Sequence, residues 1–86
     1  MIRVELFGVA RARAGTACVE VEARTLGEAL AALARACPGL EPEVVRGGVL
    51  TEHYVASRDG REFLADPAAP LAAGESLLIL GAQAGG

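Results

Sequence analysis

The chain has 86 residues, 52% of them hydrophobic, and a formal charge of −3, which suits one small domain and excludes a multidomain enzyme. Eight basic side chains stand scattered among eleven carboxylates, so no cationic stripe exists for a phosphate backbone and nucleic acid is not an expected partner. Apolar runs fall far short of the roughly 20 residues a membrane helix needs, and Met1-Ile2-Arg3-Val4-Glu5 alternates from the start, unlike a secretory leader; no membrane association and a cytoplasmic address are expected.

Ile2, Val4 and Leu6 alternate with Arg3, Glu5 and Phe7, which predicts a first strand with one buried side. Gly8 and Arg11-Ala12-Arg13-Ala14-Gly15-Thr16 break the pattern and read as a loop. Ala17–Ala23 alternates again with Val19 and Val21 in phase, so a hairpin is expected. Thr25-Leu26-Gly27-Glu28 has the form of a capping box, the Thr25 hydroxyl accepting from the Glu28 amide and the Glu28 carboxylate reaching back to the Thr25 amide. Leu26, Leu30, Leu33 and Cys37 then recur on one stripe of a helix that Pro38-Gly39 ends.

Residues 40–50 give mixed signals: Glu41-Pro42-Glu43 is compatible with a helical turn, and Arg46-Gly47-Gly48 reads as a loop. Tyr54–Arg58 and Arg61–Leu64 flank Asp59-Gly60, the dipeptide suited to the two positive φ angles of a type I′ hairpin. Tyr54 and Phe63 are expected to close this hairpin against the core. After the loop Asp66–Glu75, Ser76-Leu77-Leu78-Ile79-Leu80 is apolar on both parities, as a central strand covered on both faces should be. The order strand, strand, helix, strand, strand, strand, with right-handed crossovers favoured, gives an α+β fold: a ubiquitin-like β-grasp, a mixed sheet of four to five strands packed on one main helix. It occupies residues 1–80, with the last strand beside the first.

Residues 81–86, Gly81-Ala82-Gln83-Ala84-Gly85-Gly86, carry no helix or strand pattern and are expected to form a flexible tail. A free carboxylate is a poor electrophile because its leaving group would be oxide. Transfer of AMP from ATP makes an acyl-adenylate that a sulfur nucleophile can attack. Two glycines suit such chemistry, since without side chains they thread a narrow channel and leave the carbonyl open.

Other reactive groups are few. The basic side chains are all arginine, and the chain has one histidine, His53, and one tyrosine, Tyr54. His53 has no partner at a metal-ligand spacing, so no metal site is expected and His53 reads as a surface residue. Cys18 and Cys37 lack a C-x-x-C spacing and read as buried free thiols. Arg11 and Arg13 read as solvated charges. The lack of lysine means that an activated C-terminus would meet no ε-amine of its own chain, although an alanine-, glycine- and arginine-rich composition accounts for that depletion as well.

The element order, Leu6-Phe7 followed by Gly15-Thr16, the Pro70-Leu71-x-x-Gly74-Glu75 turn into an apolar last strand, and the terminal Ala84-Gly85-Gly86 resemble the MoaD/ThiS family of ubiquitin-like sulfur carriers over essentially the whole chain. The resemblance implies a protein substrate rather than an enzyme. Its Gly86 carboxylate would be adenylated by a ubiquitin-activating-type enzyme that uses ATP, then converted to a thiocarboxylate, with Gly85 and Ala84 threading the partner's channel. It implies no bound cofactor. A cysteine desulfurase or rhodanese would supply sulfur, and an acceptor synthase would pass it to molybdopterin and the molybdenum cofactor, thiamine, cysteine or another product. In the molybdopterin case the carrier is also a small synthase subunit. Two alternatives stay open: a ubiquitin-like modifier conjugated through Gly86, and a plain β-grasp interaction module. Phe7, with the outward parity of the last strand at Leu78 and Leu80, is a candidate docking patch; the other placement of Phe7 is beneath the loop Ala10–Thr16.

Overall fold

The period-two pattern at the start of the chain becomes strand β1, Ile2–Leu6, with Ile2, Val4 and Leu6 buried and Arg3 exposed. The computed structural model describes residues 1–82. The elements continue as α1 (Gly8–Ala14), β2 (Cys18–Val21), α2 (Leu26–Ala36), a 3-10 turn (Pro38–Leu40), β3 (Val45–Arg46), β4 (Val49–Leu50), β5 (Tyr54–Arg58), β6 (Glu62–Leu64) and β7 (Ser76–Gly81). Five strands form one mixed sheet in the order β2-β1-β7-β5-β6, and β3 pairs with β4 apart from it. Strand β7 is central, parallel to β1 and antiparallel to β5. This is the β-grasp arrangement that the sequence pattern predicts.

Helix α2 packs its stripe, Leu26, Leu30, Leu33 and Cys37 together with Ala29, into a core shared with Ile2, Val4, Leu6, Leu77 and Ile79. Each fully buried large aliphatic side chain in that cluster contributes about 1.5–3 kcal/mol of transfer free energy. The Thr25 hydroxyl accepts from the Glu28 amide at 3.2 Å, as a capping box requires. The Glu28 carboxylate accepts from the Arg24 amide at 2.8 Å rather than from that of Thr25. The bond falls one residue early where a bridge from Thr25 to Pro70 holds the approach to the helix extended.

Residues 8–14 form a helix, not the expected loop. Phe7 is still extended, Gly8 takes φ +58°, and Gly15 closes the helix at φ +77° with its amide donating to the Arg11 carbonyl at 3.0 Å. Good helix formers fill the interior, but only Ala10 is buried, so this element is too short to display a stripe. Residues 45–50 form the small β3–β4 hairpin rather than a plain loop. In the second hairpin Asp59 and Gly60 take φ of 53° and 72°, as a type I′ turn demands. Because Arg58 pairs with Glu62, however, the loop also includes Arg61. Asp59 is further tied to β7: its amide donates to the Ser76 carbonyl, and its carboxylate accepts from the Ser76 amide, each at 2.8 Å.

Three expectations about burial are corrected. Strand β7 is central but covered on one face only: Leu77 and Ile79 are buried, while Leu78 and Leu80 are half-buried. Helix α2 lies on the first face and leaves the second open. Phe63 does not close the hairpin against the core, for it pairs with Ser57 on the outer parity and is 73% exposed; Tyr54, on the inner parity, does pack against the core. Cys18 is exposed and only Cys37 is buried, because Cys18 lies opposite Glu5 on the outer parity of β2.

Candidate functional site

The site begins where β1 and β7 end side by side. Leu6 is in register with Ile79, so the next pair on the outer parity is Phe7 and Leu80. Phe7 keeps an extended backbone, φ −133° and ψ 155°, and is 40% exposed. It is therefore not tucked beneath the following segment. On the other side of β7, Leu80 stands opposite Val55 and Leu78 opposite Ser57. The parity argument thus puts Phe7, Leu78 and Leu80 on one open face of the sheet.

Leu80 forms a ridge between two apolar hollows. One, of about 490 Å³, is lined by Phe7, Gly8, Val9, His53, Tyr54, Leu80 and Gly81. The other, of about 330 Å³, is lined by Val55, Phe63, Leu80, Gly81 and Ala82. Leu78 lines neither hollow and extends the apolar ridge along the strand. A contiguous apolar surface of this kind, with half-exposed leucines and an almost bare phenylalanine, is characteristic of a docking face.

The chain leaves the sheet at this end. Strand β7 continues through Gly81, and the Ala82 amide donates to the His53 carbonyl at 2.8 Å. Gly81 and Ala82, expected in the free tail, are therefore held by the sheet. Ala84, Gly85 and Gly86 lie outside the described residues. His53 is a surface residue, as expected, but it forms part of the wall of the larger hollow and its backbone anchors the root of the tail.

Among the described residues no cluster of three or more His, Cys, Asp or Glu side chains could hold a metal ion, and no helix is long and apolar enough to cross a membrane. Burial pushes the Cys37 thiol above its usual pKa, and that side chain lines neither hollow. Arg11 and Arg13 are exposed on α1. The arrangement therefore places an open apolar face around Gly81 and Ala82, the last described residues. Val9, Val55 and Phe63 join the site beyond the residues read from the sequence. Val55 and Phe63 were within reach of a parity argument once the hairpin register is known, whereas Val9 sits in a helix the pattern does not announce.

Such a sheet, with the chain end carried by its central strand, defines a small ubiquitin-like protein. Neither protein-family models nor curated protein sequences give a match to the chain. Among solved structures it is similar to SAMP1 from Haloferax volcanii, with 34% identity, 99% of this chain and 98% of that chain covered, and a TM-score of 0.83. A chain of the BexX/CysO complex from Amycolatopsis orientalis shares the fold at 22% identity, with 100% of both chains covered and a TM-score of 0.81. A putative molybdopterin converting factor, subunit 1, from Pyrococcus furiosus does so at 18% identity over 93% of this chain and 94% of that one, with a TM-score of 0.72. The chain belongs to the MoaD/ThiS family of ubiquitin-like sulfur carriers.

Proposed function

We propose that this protein carries sulfur on its own C-terminus. The Gly86 carboxylate attacks the α-phosphorus of ATP in a ubiquitin-activating-type partner and expels pyrophosphate. The resulting acyl-adenylate is then attacked at its carbonyl carbon by a sulfur nucleophile, a C–S bond forming as AMP leaves. Hydrosulfide gives the thiocarboxylate directly. A persulfide on a desulfurase or rhodanese gives an acyl disulfide, which a second thiol cleaves. The partner binds and spends the ATP, and an acceptor synthase takes the sulfur for molybdopterin, thiamine, cysteine or another product.

The observation that carries this reading is the Ala84-Gly85-Gly86 ending, which begins three residues past the end of a central strand beside an open apolar face. The catalytic groups come from the partner, which docks on Phe7, Leu78 and Leu80 and draws Gly85 through its channel. Incubation with a cognate adenylating enzyme, ATP and a sulfur donor should replace one oxygen of Gly86 with sulfur, read by intact mass. An unchanged mass with every adenylating enzyme encoded beside its gene would reject the proposal.

A second reading rests on the 34% identity to SAMP1, a protein that a related structure describes as a small archaeal modifier protein. The same adenylate, attacked by a lysine amine of another protein, would give an isopeptide bond through Gly86. Recovery from cells of lysines bearing a remnant that ends in Gly86 would support this role, and their absence would leave sulfur transfer alone.

A further inference from the structure

The composition and the strand pairing together restrict what an activated Gly86 can acylate. The sequence has no lysine, its basic residues being arginines, and a guanidinium protonated at neutral pH is not an acyl acceptor. The remaining primary amine of this 86-residue chain is the α-amine of Met1. Parallel pairing of β1 with β7, Arg3 beside Ser76 and Leu6 beside Ile79, sets Met1 at the end of the sheet opposite to Ala82. The Met1 carbonyl is held there by the Gly74 amide at 3.0 Å. At about 3.3 Å per strand residue, the level of Ala82 lies about 26 Å from that of Met1, in a molecule whose longest dimension is 29 Å. The covalent length from Ala82 to Gly86 is at most about 14 Å. The carboxylate cannot reach an amine at Met1.

We infer that the molecule offers no amine within reach of its own activated end: amide formation at Gly86 goes only to amines of other molecules, and no chain of copies is built through side-chain amides. The inference rests on the reading that Gly86 becomes activated. It does not depend on which enzyme performs the activation. Through an amide, a second copy can be joined only head to tail, at Met1.

The test bypasses the enzyme. The protein is released from an intein fusion as a Gly86 thioester, held dilute at mildly alkaline pH, treated with hydroxylamine to remove S-acyl species, and read by intact mass. In aminolysis a C–N bond forms at the Gly86 carbonyl as the C–S bond breaks, and the thiol departs with a proton. The wild-type thioester should hydrolyse, or pass to an added lysine peptide, without forming a cyclic amide. Arg46→Lys retains the positive charge and places an amine in the shallow depression that Arg46 shares with His53, the residue anchoring Ala82; this variant should cyclise. A cyclic amide from the wild type, or a copy-to-copy amide mapped anywhere but Met1, would overturn the inference. So would failure of the Arg46→Lys variant to cyclise, because lack of a reachable amine would then not be what protects the chain. Failure of enzymatic activation, by contrast, would count against the proposed function and leave this result standing.

Discussion

The two thiols show how a single parity decides a residue's chemistry. Cys18 shares its side of β2 with Glu20, on the outer parity of the sheet, while Cys37 closes the buried stripe of α2. Burial penalises the Cys37 thiolate and raises its pKa above the ordinary 9.0. A folded-state value above the unfolded one stabilises the fold fully below the unfolded pKa, and that contribution is lost as the pH rises through the folded value. Stability should accordingly hold through neutral pH and decline only above about pH 9, as followed by urea titration across the alkaline range. At neutral pH an alkylating reagent should label Cys18, with Cys37 reacting at least about ten-fold more slowly because its exposure requires opening of the core. Peptide mapping after timed quenching distinguishes the two. The alternation of Cys18 with Val19 and Val21 was already sufficient to place it outside. The general tendency of free cysteine to be buried is a weaker guide than the register of the strand that contains it.

Elements were legible where they carry a long stripe or a specific turn, and obscure where they are short. The stripe of α2, the Thr25 cap and the Asp59-Gly60 turn all declare themselves in the sequence because each requires particular residues at fixed spacing. Helix α1 does not: it buries only Ala10, and its position depends on contact with a distant element. That contact explains Gly39. A Cβ at Gly39 would collide with the backbone carbonyl of Arg13, where the end of α1 meets the 3-10 turn. Backbone cannot rotate away as a side-chain tip can, so Gly39→Ala should force the two elements apart and cost about 1–3 kcal/mol, measured as a lower urea midpoint. Loss of less than half a kcal/mol would show that the elements yield freely. The β3–β4 hairpin escaped the sequence for a related reason: its two-residue strands span a single period of two and show no repeat.

At the scale of the whole molecule, the open face of the sheet is what the sequence left ambiguous. Apolar residues on both parities of β7 signal a central strand, but they do not reveal whether the fold itself or a partner covers the second parity. Here α2 covers Leu77 and Ile79, and Leu78 and Leu80 remain on the outer side. The Gly-Gly ending lies outside the described residues, and its proposed role rests on chemistry alone: a carbonyl entering a channel would tolerate no neighbouring Cβ. If the open face docks the activating partner, Leu80→Glu places a charge between the two hollows. It should raise the KM for enzymatic thiocarboxylate formation about ten-fold or more, the effect of losing about 1.4 kcal/mol at an interface. Its urea midpoint should stay near that of the wild type, because Leu80 is only half-buried. An unchanged KM would move the docking surface elsewhere.

The position of β7 also has a mechanical consequence. The strand that bears the chain end is flanked on both sides, by β1 and by β5, and their hydrogen bonds run across the direction in which the end would be pulled. Tension applied at Ala82 along the strand therefore loads both ladders in shear, so that many bonds must yield together instead of opening one at a time. An edge strand bearing the same sequence would have only one such ladder to resist the load. Under the proposed function, this is what would let a partner hold the end taut in a narrow passage without unravelling the body to which it is attached.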